Sequence, residues 1–262
     1  MLFPPTTSTM RPRIKNLAVK LLTIAFWILI WEVSAYLIGI DYIFPHIHQI
    51  VEALIGNLGD ISFWLIVLAS LARIVLGFIL GVASALLLAI VSSFFRIFHD
   101  FLSPLVLIAR CTPVASFIMI LWLLPYTEGA IPTLIAILMV FPVIYENAYN
   151  GLINPDKQFI ELASVYGLNN KSKLMYITFP LMIKSTLPAI ITASGLAWKA
   201  GIAAEIITYT DFDFSIGKEI AIWKNEVEGA ELLSWTLVVI LLSIFLEFCI
   251  KRASKEVSKL WE

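Results

Sequence analysis

Glu161–Pro180 reads ELASVYGLNNKSKLMYITFP, inside the longest connection between apolar stretches, Asn150–Thr186. Phe159, Ile160, Leu162, Ala163 and Tyr166 suit a short amphipathic helix. Gly167 follows where a left-handed residue ends such a helix. Lys171–Tyr176 predicts a second short turn of helix, and Pro180 and Pro188 predict a break in the helical pattern before the next apolar stretch. A helix–Gly–helix protrusion carrying small and apolar groups is a compact plug for a groove in another protein.

What surrounds that stretch is built for lipid. The 262-residue chain is 60% hydrophobic and 14% charged, with a mean hydropathy of +0.92. Its apolar residues come in blocks of about 20, the length that crosses a bilayer. Six spans are expected: Leu17–Ile40, Phe78–Phe94, Phe101–Leu124, Ile131–Tyr149, Leu187–Thr208 and Leu232–Ile250. The second belongs to a longer apolar run, Ser62–Phe94, whose part before Gly77 reads as a tilted or surface-lying lead-in. A short amphipathic piece is expected around His46–Leu58.

Basic residues set the orientation, because Lys and Arg in short loops mark the cytoplasmic side. Arg11, Arg13, Lys15 and Lys20 open the chain, Arg96 follows the second span, Lys157, Lys171, Lys173 and Lys184 fill the 150–186 connection, and Lys251, Arg252, Lys255 and Lys259 close the chain. Asp41–Ile61 and Pro125–Ala130 hold no Lys or Arg, and Tyr209–Glu231 has only Lys218 and Lys224 among many acids. Six spans with both termini in the cytoplasm satisfy every loop. The N-terminal segment 1–16 is then cytoplasmic, and the first apolar stretch, too long for a signal-peptide core, is a retained helix.

Several functions are disfavoured by what the chain lacks. A net charge of −1 offers no basic surplus to nucleic acid. Cys111 and Cys249 lie far apart, and His46, His48 and His99 form no H-E-x-x-H pattern, so neither a disulfide framework nor a metal site is expected. No G-x-S-x-G nucleophile motif supports an intramembrane enzyme. No G-x-x-x-x-G-K-[ST] phosphate loop is present, so any ATP must be bound elsewhere. An ATP-independent secondary transporter or channel is the alternative; it calls for paired interrupted helices in two repeated halves, which the sequence does not display.

The 161–180 stretch resembles the "EAA" loop of type I ABC importer permeases, the binding-protein-dependent inner membrane components. That loop runs Glu-Ala-Ala, three residues, Gly, nine residues, then Ile, one residue and Leu-Pro. Glu161, Ala163, Gly167, Ile177 and Pro180 fall on this spacing, while Leu162 and Phe179 replace Ala and Leu with other apolar groups. SLARIVLGF at Ser70–Phe78, then Pro104, Arg110 and Pro113, Gly151, and Ala204-Glu205 followed by Ser215-Ile216-Gly217 resemble the nitrate/sulfonate/taurine branch. The resemblance implies an all-α, six-span permease of a bacterial cell membrane, working as a dimer, with a homodimer the simpler case. It implies two copies of an ABC ATPase, which bind ATP and Mg²⁺, docked on the loop at 156–183. It also implies an extracytoplasmic binding protein that delivers a small solute, either an anion such as nitrate, a sulfonate or taurine, or a small heteroaromatic nutrient. Glu161, Leu162, Ala163, Gly167, Ile177 and Pro180 would be the residues that couple to the ATPase.

Charges at membrane depth face the bundle or a watery path, because each costs at least about 2.5 kcal/mol in hydrocarbon. Arg110, Lys199 and Glu205 are the candidates for lining the substrate path. Arg110 could equally pair with Glu205 or Glu146 as a structural ion pair. Arg73 is expected to snorkel to a surface, and Glu32 and Glu247 to be solvated or paired near span ends. Trp198 could stack on a flat substrate, though packing is the simpler role.

Overall fold

The computed structural model describes residues 11–124, 129–155 and 157–259. The sequence-based expectations for 1–10, 125–128, 156 and 260–262 lie outside the described residues. Among the described residues every regular element is helical. The long elements are α1 (Arg11–Ile38), α3 (Ile61–Phe94), α6 (Ile131–Ile153), α9 (Phe179–Ile207) and α11 (Gly229–Lys259). Between them lie α2 (Ile47–Leu58), α4 (Arg96–Cys111), α5 (Val114–Trp122), α7 (Lys157–Val165), α8 (Asn170–Lys173) and α10 (Ile216–Glu226). Caps mark the sharper starts: the Asp60 carboxylate accepts from Ser62 N–H at 3.0 Å, and the Ser215 hydroxyl accepts from Lys218 N–H at 3.2 Å.

α3, α6 and α9 form the core, packed through small residues. A Cβ built on Gly77 would sit 2.5 Å from the Thr133 carbonyl oxygen and 2.7 Å from Ala136 Cβ. A Cβ on Gly81 would sit 2.9 Å from Val140 Cβ. Only glycine lets two helix backbones approach so closely, and in lipid such close packing replaces the hydrophobic effect as the driving force. The Thr133 hydroxyl donates to the Arg73 carbonyl at 3.0 Å, and the Tyr145 hydroxyl donates to Ser92 Oγ at 3.0 Å.

These pairs, 73 with 133, 77 with 136, 81 with 140 and 92 with 145, rise together, so α3 and α6 run parallel. The chain must recross the membrane between them, and among the described residues α4 and α5 are the helices that lie between. Five single helices are long and apolar enough to span, and the bent pair Arg96–Cys111 and Val114–Trp122 makes the sixth crossing. With α4 and α5 counted as one crossing, the start of α1 and the end of α11 fall on one face of the bundle. Gly229 N–H donates to the Tyr42 carbonyl at 2.8 Å and Phe63 packs on Trp235 at 5.1 Å, which places the end of α1 with the starts of α3 and α11. The opposite face holds the α3–α4 turn, α7, α8 and the end of α11.

Three expectations need correction. The run before Gly77 is no separate lead-in: α3 is one helix of 34 residues, about 51 Å long, and Gly77 sits inside it as a packing contact. The third span is not one helix from Phe101 to Leu124. It bends by 102° between Cys111 and Val114, because Pro113 forces Thr112 into an extended conformation (ψ 133°) that ends α4. The fifth span does not start at Leu187. Helix runs on from Asn170 through a π-turn at Leu174–Thr178 into α9, so Pro180 falls in the first turn of α9 and Pro188 is carried inside it. Phe179 N–H donates to the Leu174 carbonyl across the π-turn, and Pro180, which has no N–H, falls in the first turn of α9 and does not end the helix.

Candidate functional site

The 161–180 stretch projects from the bundle as a short helix on a tight turn. α7 ends at Val165, and Gly167 takes φ +65°, the left-handed conformation expected from its place in sequence. Leu168 N–H then donates to the Ala163 carbonyl at 3.0 Å and Tyr166 N–H to the Leu162 carbonyl at 3.0 Å, closing the helix end upon itself. Asn169 Oδ1 accepts from Ser172 N–H at 2.8 Å and starts α8. Ala163 is buried and fixes α7 by its inner side. The other face is bare: Leu162 is 54% exposed, Tyr166 75% and Val165 84%. Glu161 is exposed beside them, while Ile177 and Pro180 are half-buried at the foot of α9.

At the opposite face Glu205 is fully buried. Its Oε1 accepts from Arg73 Nε at 3.1 Å and Arg73 Nη2 at 2.8 Å. Its Oε2 accepts from the Ser70 hydroxyl at 2.7 Å and Gly217 N–H at 3.2 Å. Ser70 Oγ accepts in turn from Ile216 N–H at 2.9 Å, so the carboxylate and hydroxyl together receive the start of α10. Arg73 also donates to the Phe214 carbonyl at 2.8 Å and lies 4.7 Å from the centre of the Phe212 ring. Arg73 therefore does not snorkel outward, and Glu205 does not pair with Arg110. The two form a clamp joining α3, α9 and α10. A Cβ on Gly217 would lie 2.3 Å from Glu205 Cβ, which leaves no room for any other residue there.

The remaining charges separate. Arg110, at the end of α4, pairs with Glu146 of α6, and both side chains are partly exposed. Lys199 is exposed in the last third of α9 with no ion pair among the described residues. Glu32 pairs with His46 at 2.7 Å, and Glu247 with Lys251 at 2.5 Å, as expected near span ends. Trp198 is buried and its indole N–H donates to the Val239 carbonyl at 3.0 Å, a packing role. Among the described residues no group of three or more His, Cys, Asp or Glu side chains is placed to hold a metal.

One feature escaped the sequence reading. Phe141, Tyr145 and Tyr149 recur at helical spacing on α6 with nearly parallel rings, 11° and 5° apart, and His99 of α4 stacks on Tyr149 at 4.0 Å. The rings stand beside a cavity of about 840 Å³ that opens at the same face as α7. The signal was the i, i+4, i+8 spacing of aromatics inside span four.

Residues 74–259 match the profile of the family described as binding-protein-dependent transport system inner membrane component. A putative ABC transporter permease of Methanocaldococcus jannaschii is 26% identical over 199 residues, 74% of each chain. A nitrate import permease of Synechococcus elongatus is 25% identical over 206 residues, covering 75% of this chain and 74% of its own. A formylaminopyrimidine transport permease of Halalkalibacterium halodurans is 31% identical over 170 residues, covering 64% of this chain and 65% of its own, just under two thirds. With the matched family running from mid-α3 to the end of α11, over most of an all-helical bundle of six crossings, the chain is a multi-pass membrane protein that belongs to the binding-protein-dependent transport system inner membrane components, the permease subunits of ABC transporters.

Proposed function

We propose that this chain forms the translocation path of an ATP-driven importer and takes its power stroke through α7. The exposed Leu162, Val165 and Tyr166 carry this reading. They stand on a helix outside the spanning bundle, where large apolar groups at a water-facing surface call for a protein cover. The cover is a groove on an ABC ATPase, which holds ATP and Mg²⁺; two ATPase copies serve a pair of permeases, most simply two copies of this chain. The segment 156–183 couples, the unit from 17 onward forms the membrane body, and 1–16, α7 and both termini lie in the cytoplasm, as their basic residues favour. Within the coupling segment Glu161, Leu162, Ala163 and Gly167 make the docking helix, and Ile177 and Pro180 join it to α9.

A binding protein delivers a small solute to the opposite face. Lys199, a cation at membrane depth with no ion pair among the described residues, faces the watery path between the two permeases, where its charge is solvated. Arg110 borders the same path with its charge answered by Glu146. Glu205 enters as the clamp that holds the outer end together rather than as path lining.

Substitution Leu162→Glu, with Tyr166→Asp as a second variant, tests the reading. Each places a charge in the docking face while leaving the bundle untouched. Co-purification of the ATPase and ATP-dependent uptake should fall at least about tenfold, the effect of roughly 1.4 kcal/mol or more at a docking anchor. Undiminished ATPase attachment in correctly inserted variants overturns the assignment of α7.

A further inference from the structure

We propose that Arg110 and Glu146 form a gate in the cytoplasmic half of the translocation path, opened when α4 swings away from α6 about Thr112–Pro113. The inference rests on the chain being a translocation subunit and names the contact that closes its path. A cavity of about 840 Å³ enters the bundle from the face that carries α7, between the ends of α3, α4 and α6. Ser93, Arg96, Asp100 and Asn150 give it polar walls, which suit it to hold water. On α6 the lining runs from Ile153, where the helix ends, back to Glu146 and Tyr145. Glu146 therefore stands where the cavity reaches furthest along α6. Its partner Arg110 is not part of the lining and comes from the last turn of α4. The pair thus stands between the cavity and the break that interrupts the third crossing.

The contact is built to open. Arg110 is 51% exposed and Glu146 38%, so either charge can be solvated when the pair parts. The Arg73–Glu205 pair has no such recourse, because Glu205 is fully buried. α4 is also lightly held: of its 16 residues only Val106 is buried. α5 is fixed, with Ile118 fully buried in a cluster with Ile131 and Ile135 of α6 and Ala200 and Ala204 of α9. The joint between the two helices is extended at both Thr112 and Pro113 (ψ 133° at each). A few residues at the end of an element can absorb the change in φ and ψ while the helix moves as one piece. His99 Nδ1, 3.2 Å from the Tyr145 hydroxyl oxygen, is a further polar hold of α4 on α6 and parts in the same movement.

The native Cys111 adjoins Arg110, is exposed, and reports the gate. The test uses the full chain with Cys249→Ser in membrane vesicles of either orientation. The rate of labelling by a membrane-impermeant polyethylene glycol maleimide is divided by the rate with permeant N-ethylmaleimide, which cancels changes in the thiol's own reactivity. From the cytoplasmic side, Arg110→Gln and Glu146→Gln should each raise this ratio at least about fivefold. The exchanged variant, Arg110→Glu with Glu146→Arg, should return to within about twofold of the parent. Val106→Ala, which loosens α4 without touching either charge, should raise the ratio in the same direction and stands in should the charge variants fail to insert. A ratio unmoved in these variants, or still raised in the exchanged one, overturns the proposal. So does an equal rise from both faces, which marks a structural staple. ATPase co-purification from the same vesicles separates the two levels: attachment through Leu162 with an unmoved ratio removes the gate alone.

Discussion

The two ends of the bundle use their side chains in opposite ways. At the end holding α10, polar and charged groups are turned inward and answered: Glu205 receives Arg73, Ser70 and Gly217, and Ser70 receives Ile216. At the end holding α7, apolar groups are turned outward, with Leu162, Val165 and Tyr166 bare, and Arg96 and Asp100 at a cavity rim make no side-chain hydrogen bond or ion pair among the described residues. The first arrangement closes the chain on itself. The second leaves surface for other molecules. Substitutions at the first end should therefore act on stability, and those at the second on partners.

Glu205→Ala should have the largest effect on the fold. It strands the Arg73 guanidinium and the start of α10, and breaking such a buried pair costs roughly 3–5 kcal/mol. Thermal unfolding of the detergent-solubilised chain would register this as a large drop. A loss of uptake with unaltered stability would instead put Glu205 in the solute path and break the contrast between the ends.

Gly77→Val tests the core that joins the two ends. Its Cβ would fall 2.5 Å from the Thr133 carbonyl oxygen, against backbone that cannot yield, so a cost of about 1–3 kcal/mol is expected in the same measurement. An unchanged melting temperature would mean that α3 and α6 can slide apart, and that the bundle is looser than its glycines imply.

Two helix ends sharpen the comparison further, because both close by the same pattern with different residues. α7 closes over Gly167 at φ +65°, and α10 closes over Val227 at φ +61°, with Glu228 N–H donating to the Trp223 carbonyl at 3.0 Å. A β-branched residue is strained there and a glycine is not. Gly167→Ala should cost about 1 kcal/mol locally and weaken ATPase attachment, whereas Val227→Gly should raise stability by about as much. Measured melting temperatures that move in the same direction for both would contradict this reading of the two turns.

The smallest effect concerns Glu219 on α10, whose carboxyl is pushed above its ordinary value by burial, helped by the nearby Glu231 and opposed by Lys218. The fold thus holds the proton more tightly than the unfolded chain does. The wild type should lose stability as pH rises through the raised value, and Glu219→Gln should not show that loss. Melting temperatures compared at about pH 5 and pH 8 should show the variant gaining on the parent at the higher pH, and a gap independent of pH would remove burial as the cause.

Short-range features were legible in the sequence and long-range ones were not. The protruding helix and its glycine could be read because Phe159 to Gly167 is one local pattern. The count of six crossings followed from apolar length and basic loops. The bend at Thr112–Pro113 was written in a local signal but outweighed by the apolar length of the span. The role of Arg73 was hidden, since its partner lies 132 residues away and only packing brings Ser70, Glu205 and Gly217 to one point. The close packing of Gly77 was hidden for the same reason: nothing local marks a glycine that will be pressed against Thr133.

The uninterrupted run from Asn170 to Ile207, π-turn included, makes the fifth crossing a stiff rod of about 55 Å rooted in the α7–α8 elbow. A rod amplifies rotation. Tipping its root by about 10° swings the Glu205 end by roughly 10 Å, without melting a single turn, by the length that helical rise dictates. On the proposed docking of α7, closure of a partner at one membrane surface would be felt at the other as leverage, with distance itself serving as the gear.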